Sequence, residues 1–372
     1  MEVMRAAEQR EHQGLDVLHL EVGQPSTGAP AGALKAVEEA LRADKLGYTG
    51  AAGLPPLRRR ISEWYRDQYS LEIPAERIVV TTGASGSCVL TFLAAFDVGD
   101  RIGVLEPGYP CYRNDLHALG GDVVTISVGP DTDFRPTVAQ LEAALPLDGL
   151  VIASPSNPTG TVLPPEELSA IVSWAEHAGV WLVVDEIYHG ITYDVACPSA
   201  LAYGDHLVVF NSFSKYFSMT GWRLGWVVAP AELAEAIERL SQSLTIAPPT
   251  ISQVAGEAAF DCTDELDANV ERYRENRQVM IDGLAAAGIA KIAPADGAFY
   301  VWADVSHLVG LVGSTAQDLS RVWLEKLGVA TTPGVDFDQR RGDDFIRFSY
   351  SGSMEEIAEA TNRIGLWVGQ AS

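Results

Sequence analysis

The sequence predicts an α/β fold: a mainly parallel central sheet flanked by helices, with a smaller α+β domain attached. Three observations carry this. From about Arg77 to Ala229, short β-branched runs alternate with stretches of helical apolar spacing, the sequence form of a parallel sheet covered on both faces. Several of these runs end in polar or Gly/Pro-rich turns, where open α/β sheets receive ligands. At 372 residues, with 47% hydrophobic and 20% charged residues, the chain can bury an extended sheet and still build a second, smaller core.

The candidate strands follow in order as Ile78 to Thr81, Arg101 to Leu105, Val123 to Ile126, Leu150 to Ala153, Val180 to Val184, Leu207 to Phe210 and Gly225 to Ala229. Each is a short apolar run bounded by turn residues. Between them, Cys88 to Phe96, Pro165 to Ala178 and Ala231 to Leu244 carry helical spacing, the second opened by Pro164-Pro165-Glu166-Glu167 in a favourable N-terminal order. After about Arg277 the pattern changes to a helix, strands near Ala298 to Trp302 and Phe345 to Phe348, and a last helix from Met354 to Val368. This is the predicted α+β domain; no internal repeat or low-complexity tract interrupts it.

Composition excludes several classes of function. Lys and Arg number 26 against 50 acidic residues, and a net charge of −24 repels nucleic-acid phosphates and anionic lipid heads. Cys88, Cys111, Cys197 and Cys262 form no C-x-x-C pair and read as free thiols. The seven histidines show no metal-binding spacing, so no metal is expected. No apolar run is long enough to cross a bilayer, and Met1-Glu2-Val3-Met4-Arg5 has no signal-peptide core. These features predict a cytoplasmic protein.

Three stretches carry chemistry. In Asn211-Ser212-Phe213-Ser214-Lys215-Tyr216, a lysine directly follows a buried-looking strand, with Arg223 eight residues on. A lysine at the edge of an apolar core has a lowered pKa and serves as nucleophile and base. The serines and Arg223 supply hydroxyls and a permanent cation, the usual partners of a phosphate. In Val183-Val184-Asp185-Glu186-Ile187-Tyr188, an aspartate ends an apolar strand, where it needs a cation such as a protonated ring nitrogen, or else serves as a helix cap. Ala153-Ser154-Pro155-Ser156-Asn157-Pro158-Thr159-Gly160 is a stiff turn that can aim the Asn157 amide or simply turn the chain.

Asn157, Asp185 with Tyr188, Lys215 with Arg223, and Arg347 in Ile346-Arg347-Phe348-Ser349 together resemble the signature of the class I/II aminotransferases, enzymes of pyridoxal-phosphate (PLP) fold type I. The resemblance spans nearly the whole chain. It implies a large PLP-binding domain over 45–275 and a small domain built from 1–44 and 276–372. It also implies that Lys215 carries PLP, that Asp185 faces the pyridine nitrogen, and that Asn157 and Tyr188 face its phenolic oxygen. Gly83, Ala84, Ser85, Ser212 and Arg223 would hold the phosphate, with Ser214 a weaker candidate and Tyr48 reaching in from the neighbouring subunit of a homodimer. Tyr109 would stack on the ring, Gly23 would lie beside the substrate, and Arg347 would grip its α-carboxylate.

The implied activity is transfer of an amino group between an amino acid and a 2-oxo acid. The chemical neighbours are a PLP-dependent carbon–sulfur β-lyase and a non-catalytic ligand-sensing module; the latter would need a DNA-binding segment that this acidic chain has no room for. The family pattern begins further upstream, so a covering N-terminal segment is expected to be missing. No second arginine is clearly placed to read a dicarboxylate.

Overall fold

The computed structural model describes residues 2–43 and 46–371. The seven expected strands form one sheet. They are β1 (Ile78–Thr81), β2 (Arg101–Glu106), β3 (Asp122–Ser127), β4 (Gly149–Ala153), β5 (Trp181–Asp185), β6 (Leu207–Ser212) and β7 (Gly225–Val228). Their order across the sheet is β1-β7-β6-β5-β4-β2-β3. All neighbours are parallel except β7, which runs antiparallel to both β1 and β6.

Side chains alternate between two cores, as the pleat requires. Val79, Val151, Val183 and Val208 face the helices Gly83–Ala95 and Ala231–Leu244. Their neighbours Ile78, Leu150, Leu182 and Val209 face the helices Pro55–Tyr69 and Pro165–Ala178. Burial on both faces explains why the central strands are nearly continuous apolar runs. Register then fixes the floor of the site: Ala153 pairs with Asp185, and Asp185 with Phe210, so β4 and β5 end level while β6 runs two residues further, to Ser212.

The second unit is an antiparallel sheet of β8 (Tyr300–Asp304), β9 (Thr332–Pro333) and β10 (Phe345–Ser349), ordered β9-β10-β8. Arg347 lies on its central strand, opposite Thr332 on one side and Trp302 on the other. The helices Thr263–Ala286 and Met354–Ala371 pack on this unit. Leu18–His19 adds a short parallel pairing with Val329–Ala330.

Some boundaries differ from the sequence reading. The helix expected from Cys88 starts at Gly83, because its small and polar first turn carries no apolar period. The helix expected near Arg277 starts at Thr263, its largely exposed first half masking the pattern. It runs through the expected division at 275/276, with Leu266 in the large core and Tyr273, Met280 and Leu284 in the small one. The other division, at 44/45, lies outside the described residues. Leu18 and Leu20 join the small core, while the helix Ala31–Ala43 contributes Ala33 to the large one. Among the described residues no helix is long and apolar enough to cross a membrane.

Trp226 anchors the sheet beneath the site. It is fully buried, donates its indole N–H to Tyr65 OH at 3.2 Å, and meets Phe213 edge-on at 5.2 Å. Trp226→Ala is expected to cost about 3–5 kcal/mol, the usual range for an emptied aromatic core position; urea titration of variant and wild type measures it.

Candidate active site

The carboxyl ends of β4, β5 and β6 open into a cavity of about 970 Å³ that the second unit closes from above. Its lining includes Gly23, Ala84, Ser85, Tyr109, Asn157, Asp185, Tyr188, Ser214, Lys215, Arg223 and Arg347. Residues distant in sequence therefore meet in one chamber.

Lys215 sits three residues past β6, in a tight loop that Phe213 and Phe217 pin into the core with their rings 4.7 Å apart. Its Nζ donates to Gly23 O at 2.5 Å. Burial, helped by the Arg347 guanidinium, lowers its pKa to about 8, and Asp185 opposes that shift. Asp185 ends β5 with its carboxylate buried, accepting from the Ile187 N–H at 2.9 Å and from Tyr112 OH. Burial raises its pKa to about 7 despite those donors. The next residue, Glu186, turns into the core and accepts from Ser199 Oγ and Ala200 N–H, which fixes the strand end that presents Asp185.

Arg347 is buried and heavily constrained. Its guanidinium lies 4.3 Å from the Tyr300 ring centre and 4.8 Å from that of Phe337. It donates to Asn157 Oδ1 at 3.0 Å and to Glu21 O at 2.8 Å, while its Nε is buried with no partner. Stacking holds the plane and leaves donor capacity for an incoming carboxylate. Gly23 is required by crowding here, since a Cβ would stand 2.6 Å from Tyr300 OH.

At the opposite end the helix Gly83–Ala95 begins without a side-chain cap, leaving N–H groups of its first turn free to meet an anion. Arg223 faces this helix start and makes one hydrogen bond, to Thr220 O at 3.0 Å. Gly83 has φ +79°, and a Cβ there would lie 2.7 Å from Arg223 Nη2, so the residue opens the cradle. Ser214 lines the cavity, whereas Ser212 lies behind it, its hydroxyl engaged with Leu224 O and Ser214 Oγ. Tyr109 stands at the mouth edge-on to Tyr112, and Tyr188 OH pairs with Tyr300 OH at 2.7 Å. Tyr48 is 85% exposed and outside this lining.

Tyr112, Tyr300, Thr332 and Phe337 escaped the sequence reading. Tyr112 lies one helical turn after Tyr109, the only sequence hint that both face one way. The helix Glu2–His12 also lines the cavity, through Val3, Met4 and Ala6.

The arrangement suits a planar ring with a cationic nitrogen and a phosphate: a buried carboxylate lacks a close cation at one end, and free N–H donors with an arginine wait at the other. Architecture and site together define a fold type I aminotransferase, and the solved structures agree. An aminotransferase from Mycobacterium tuberculosis superposes with a TM-score of 0.96 at 46% identity, covering 100% of this chain and 96% of that one. The chain belongs to the aminotransferase class I and II family, whose sequence profile matches residues 15–364. It is similar to the valine–pyruvate aminotransferase of M. tuberculosis, with 46% identity over 99% of this chain and 95% of that protein. It is also similar to the aspartate/prephenate aminotransferase of Thermus thermophilus, with 33% identity over 96% of this chain and 93% of that protein. The protein is thus an enzyme that transfers amino groups between amino acids and 2-oxo acids.

The raised pKa of Asp185 has a measurable consequence. The ligand-free native state holds this proton more tightly than the unfolded chain, whose carboxyl titrates near 3.8, so the Asp185 contribution to stability declines as pH rises from 3.8 to about 7. Asp185→Asn should remove that decline, and urea titrations of ligand-free protein at about pH 5 and about pH 7.5 compare the two slopes.

Proposed function

We propose that the enzyme uses PLP, bound at Lys215, and moves the amino group of amino acids with uncharged side chains to pyruvate. The observation that carries the reading is the meeting of Lys215, Asp185 and Arg347 in one cavity. Asp185 would face the pyridine nitrogen, Tyr109 one ring face, and Asn157 and Tyr188 the phenolic oxygen. Gly83, Ala84, Ser85, Ser214 and Arg223 would hold the phosphate, with Ser212 bracing Ser214 from behind. PLP supplies an electron sink for the pair left at the substrate Cα.

The chain's own residues do the rest. Arg347 binds the substrate α-carboxylate in two-pronged fashion and so aims the Cα–H bond at Lys215. Lys215 Nζ, with its pKa lowered to about 8, has a neutral fraction near neutral pH that removes the Cα proton and returns it on the other side of the transfer. Asp185 keeps its negative charge when a cation sits against it, since the pair offsets the burial that otherwise protonates it. Helix Glu2–His12 and the second unit keep bulk water from the reacting atoms.

The substrate class rests on the walls near Arg347. Tyr109, Tyr300, Val335 and Phe337 are aromatic or apolar, and the further arginine of the lining, Arg321, is already within 3.6 Å of Asp318 and 3.5 Å of Glu325. The similar M. tuberculosis protein carries a valine–pyruvate name, which supports the same choice. A homodimer would let Tyr48 of one protomer approach its partner's cavity, in keeping with its 85% exposure. The four unpaired cysteines suit a reducing cytoplasm.

Wild-type protein mixed with PLP should show a lysine-dependent absorbance band that valine converts and pyruvate restores, and Lys215→Ala should lack it. Pyruvate and ammonia released from a cysteine conjugate without any acceptor would point instead to a β-lyase. Arg347→Ala should raise the KM for valine about a hundredfold, equivalent to about 2.7 kcal/mol, while PLP affinity changes little; equal losses in both would remove Arg347 from carboxylate binding.

A further inference from the structure

One short stretch of backbone touches both Arg347 and Lys215. Leu18 and Leu20 donate to Gly328 O and Ala330 O, which starts the segment along the second unit. The segment then enters the cavity, where Glu21 O accepts from Arg347 Nη2 at 2.8 Å and from Thr332 Oγ1 at 3.2 Å. Two residues later Gly23 O accepts from Lys215 Nζ. The segment is tied on either side of these carbonyls, Leu20 O accepting from the Ser349 N–H at 2.7 Å and Gln24 O from Ser351 Oγ at 2.8 Å; between those ties the Glu21 side chain is a further anchor.

His19 holds that side chain. Its Nδ1 lies 2.8 Å from Glu21 Oε1 and its Nε2 lies 3.3 Å from Glu11 Oε1. The Glu21 side chain is 3% exposed, and its other oxygen is buried with no partner. A buried carboxylate in that state depends on its single cation. Glu11 belongs to the helix Glu2–His12, whose Val3, Met4 and Ala6 line the cavity and whose Ala7 is buried against Leu324 and Ala330. The other charged groups nearby are engaged elsewhere: Arg10 bonds Asp16 O and Glu325 O, and the Asp16 carboxylate pairs with Arg363. His19 is therefore faced by two carboxylates, one at each ring nitrogen, and Glu21 foremost raises its pKa to about 9 against the effect of burial, a shift that favours the cationic form.

We propose that His19 is a positioning residue, a cationic clasp between Glu11 and Glu21 that ties helix Glu2–His12 over the cavity mouth and keeps the Glu21 carbonyl against Arg347. The clasp rests on the reading of Arg347 as the carboxylate-binding group. Amino acid and 2-oxo acid both present a carboxylate to Arg347, so the clasp serves both half-reactions. Removing it leaves the buried Glu21 carboxylate without its partner and free to turn toward water, and the segment carrying the Glu21 carbonyl shifts with it. Substrate binding weakens, whereas the groups that move the proton stay in place.

The test combines steady-state kinetics with hydrogen exchange on His19→Ala, His19→Lys and Glu11→Gln. His19→Ala is expected to raise KM for valine and for pyruvate about tenfold with kcat within about twofold, and to speed exchange over residues 3–12 and 17–23 but not in the central sheet. His19→Lys keeps a cation between the carboxylates and should recover most of the KM loss. Glu11→Gln, at a half-exposed helix position, should speed exchange over 3–12 and raise both KM values about threefold; it decides the matter alone if His19→Ala does not fold. KM values within twofold of wild type in His19→Ala or, failing that, in Glu11→Gln would overturn the clasp. So would a fall in kcat with faster exchange throughout the sheet, the mark of a purely structural part. If wild type shows no turnover with valine and pyruvate, the functional reading fails by itself, and exchange over 3–12 and 17–23 in the ligand-free protein still decides whether His19 ties helix and segment together.

Discussion

The structure depends on burying two ionisable groups, the Lys215 amine and the Asp185 carboxyl, in the walls of one chamber. Lys215 and Asp185 both have pKa values driven toward neutrality by burial, one downward and one upward. Unfavourable burial of this kind persists only when the surrounding fold holds it in place. The pairing of Asp185 with Ala153 and Phe210, the pinned Phe213–Phe217 loop and the Tyr112 and Ile187 donors supply that hold. The same arrangement gives the site its chemistry, because a lysine that is partly neutral near pH 7 works as a base.

Arg347 extends the arrangement from the central sheet to the second unit. It is carried by β10, yet its donors reach Asn157 beyond β4 and Glu21 near the N-terminus. Three separate parts of the chain therefore meet on one guanidinium, and the Tyr300 and Phe337 rings pack against it and fix its orientation. The N-terminal helix is drawn into the same circuit through Glu11, His19 and Glu21.

Much of this was legible in the sequence. The seven strands of the central sheet appeared where apolar runs alternated with helical spacing, because burial on both faces leaves strong, short signals. Asn157, Asp185, Lys215 and Arg347 were legible because each chemical type stood at a strand end or in a stiff turn, in a fixed order. Tyr112 and Tyr300 were not, since a tyrosine in an apolar helix or strand looks the same whether its hydroxyl meets a core backbone or Asp185. The helices Glu2–His12 and Ala31–Ala43 were also missed; each buries one small alanine, Ala7 or Ala33, among mostly exposed neighbours. The helix Thr263–Ala286 was read short for a similar reason, its first half being mostly polar and exposed.

The sequence by itself determined the α/β class, the family signature and the candidate residues Asn157, Asp185, Lys215 and Arg347 that meet in the cavity, because strand periodicity and functional-group identity are local properties of the chain. Only the tertiary structure decided that Ser214 rather than Ser212 faces the cavity, that Tyr112 supports Asp185, and that His19 faces two carboxylates from separate segments. Those outcomes depend on strand register, helix rotation and the approach of residues far apart in the chain. They are settled by packing, which no local pattern encodes.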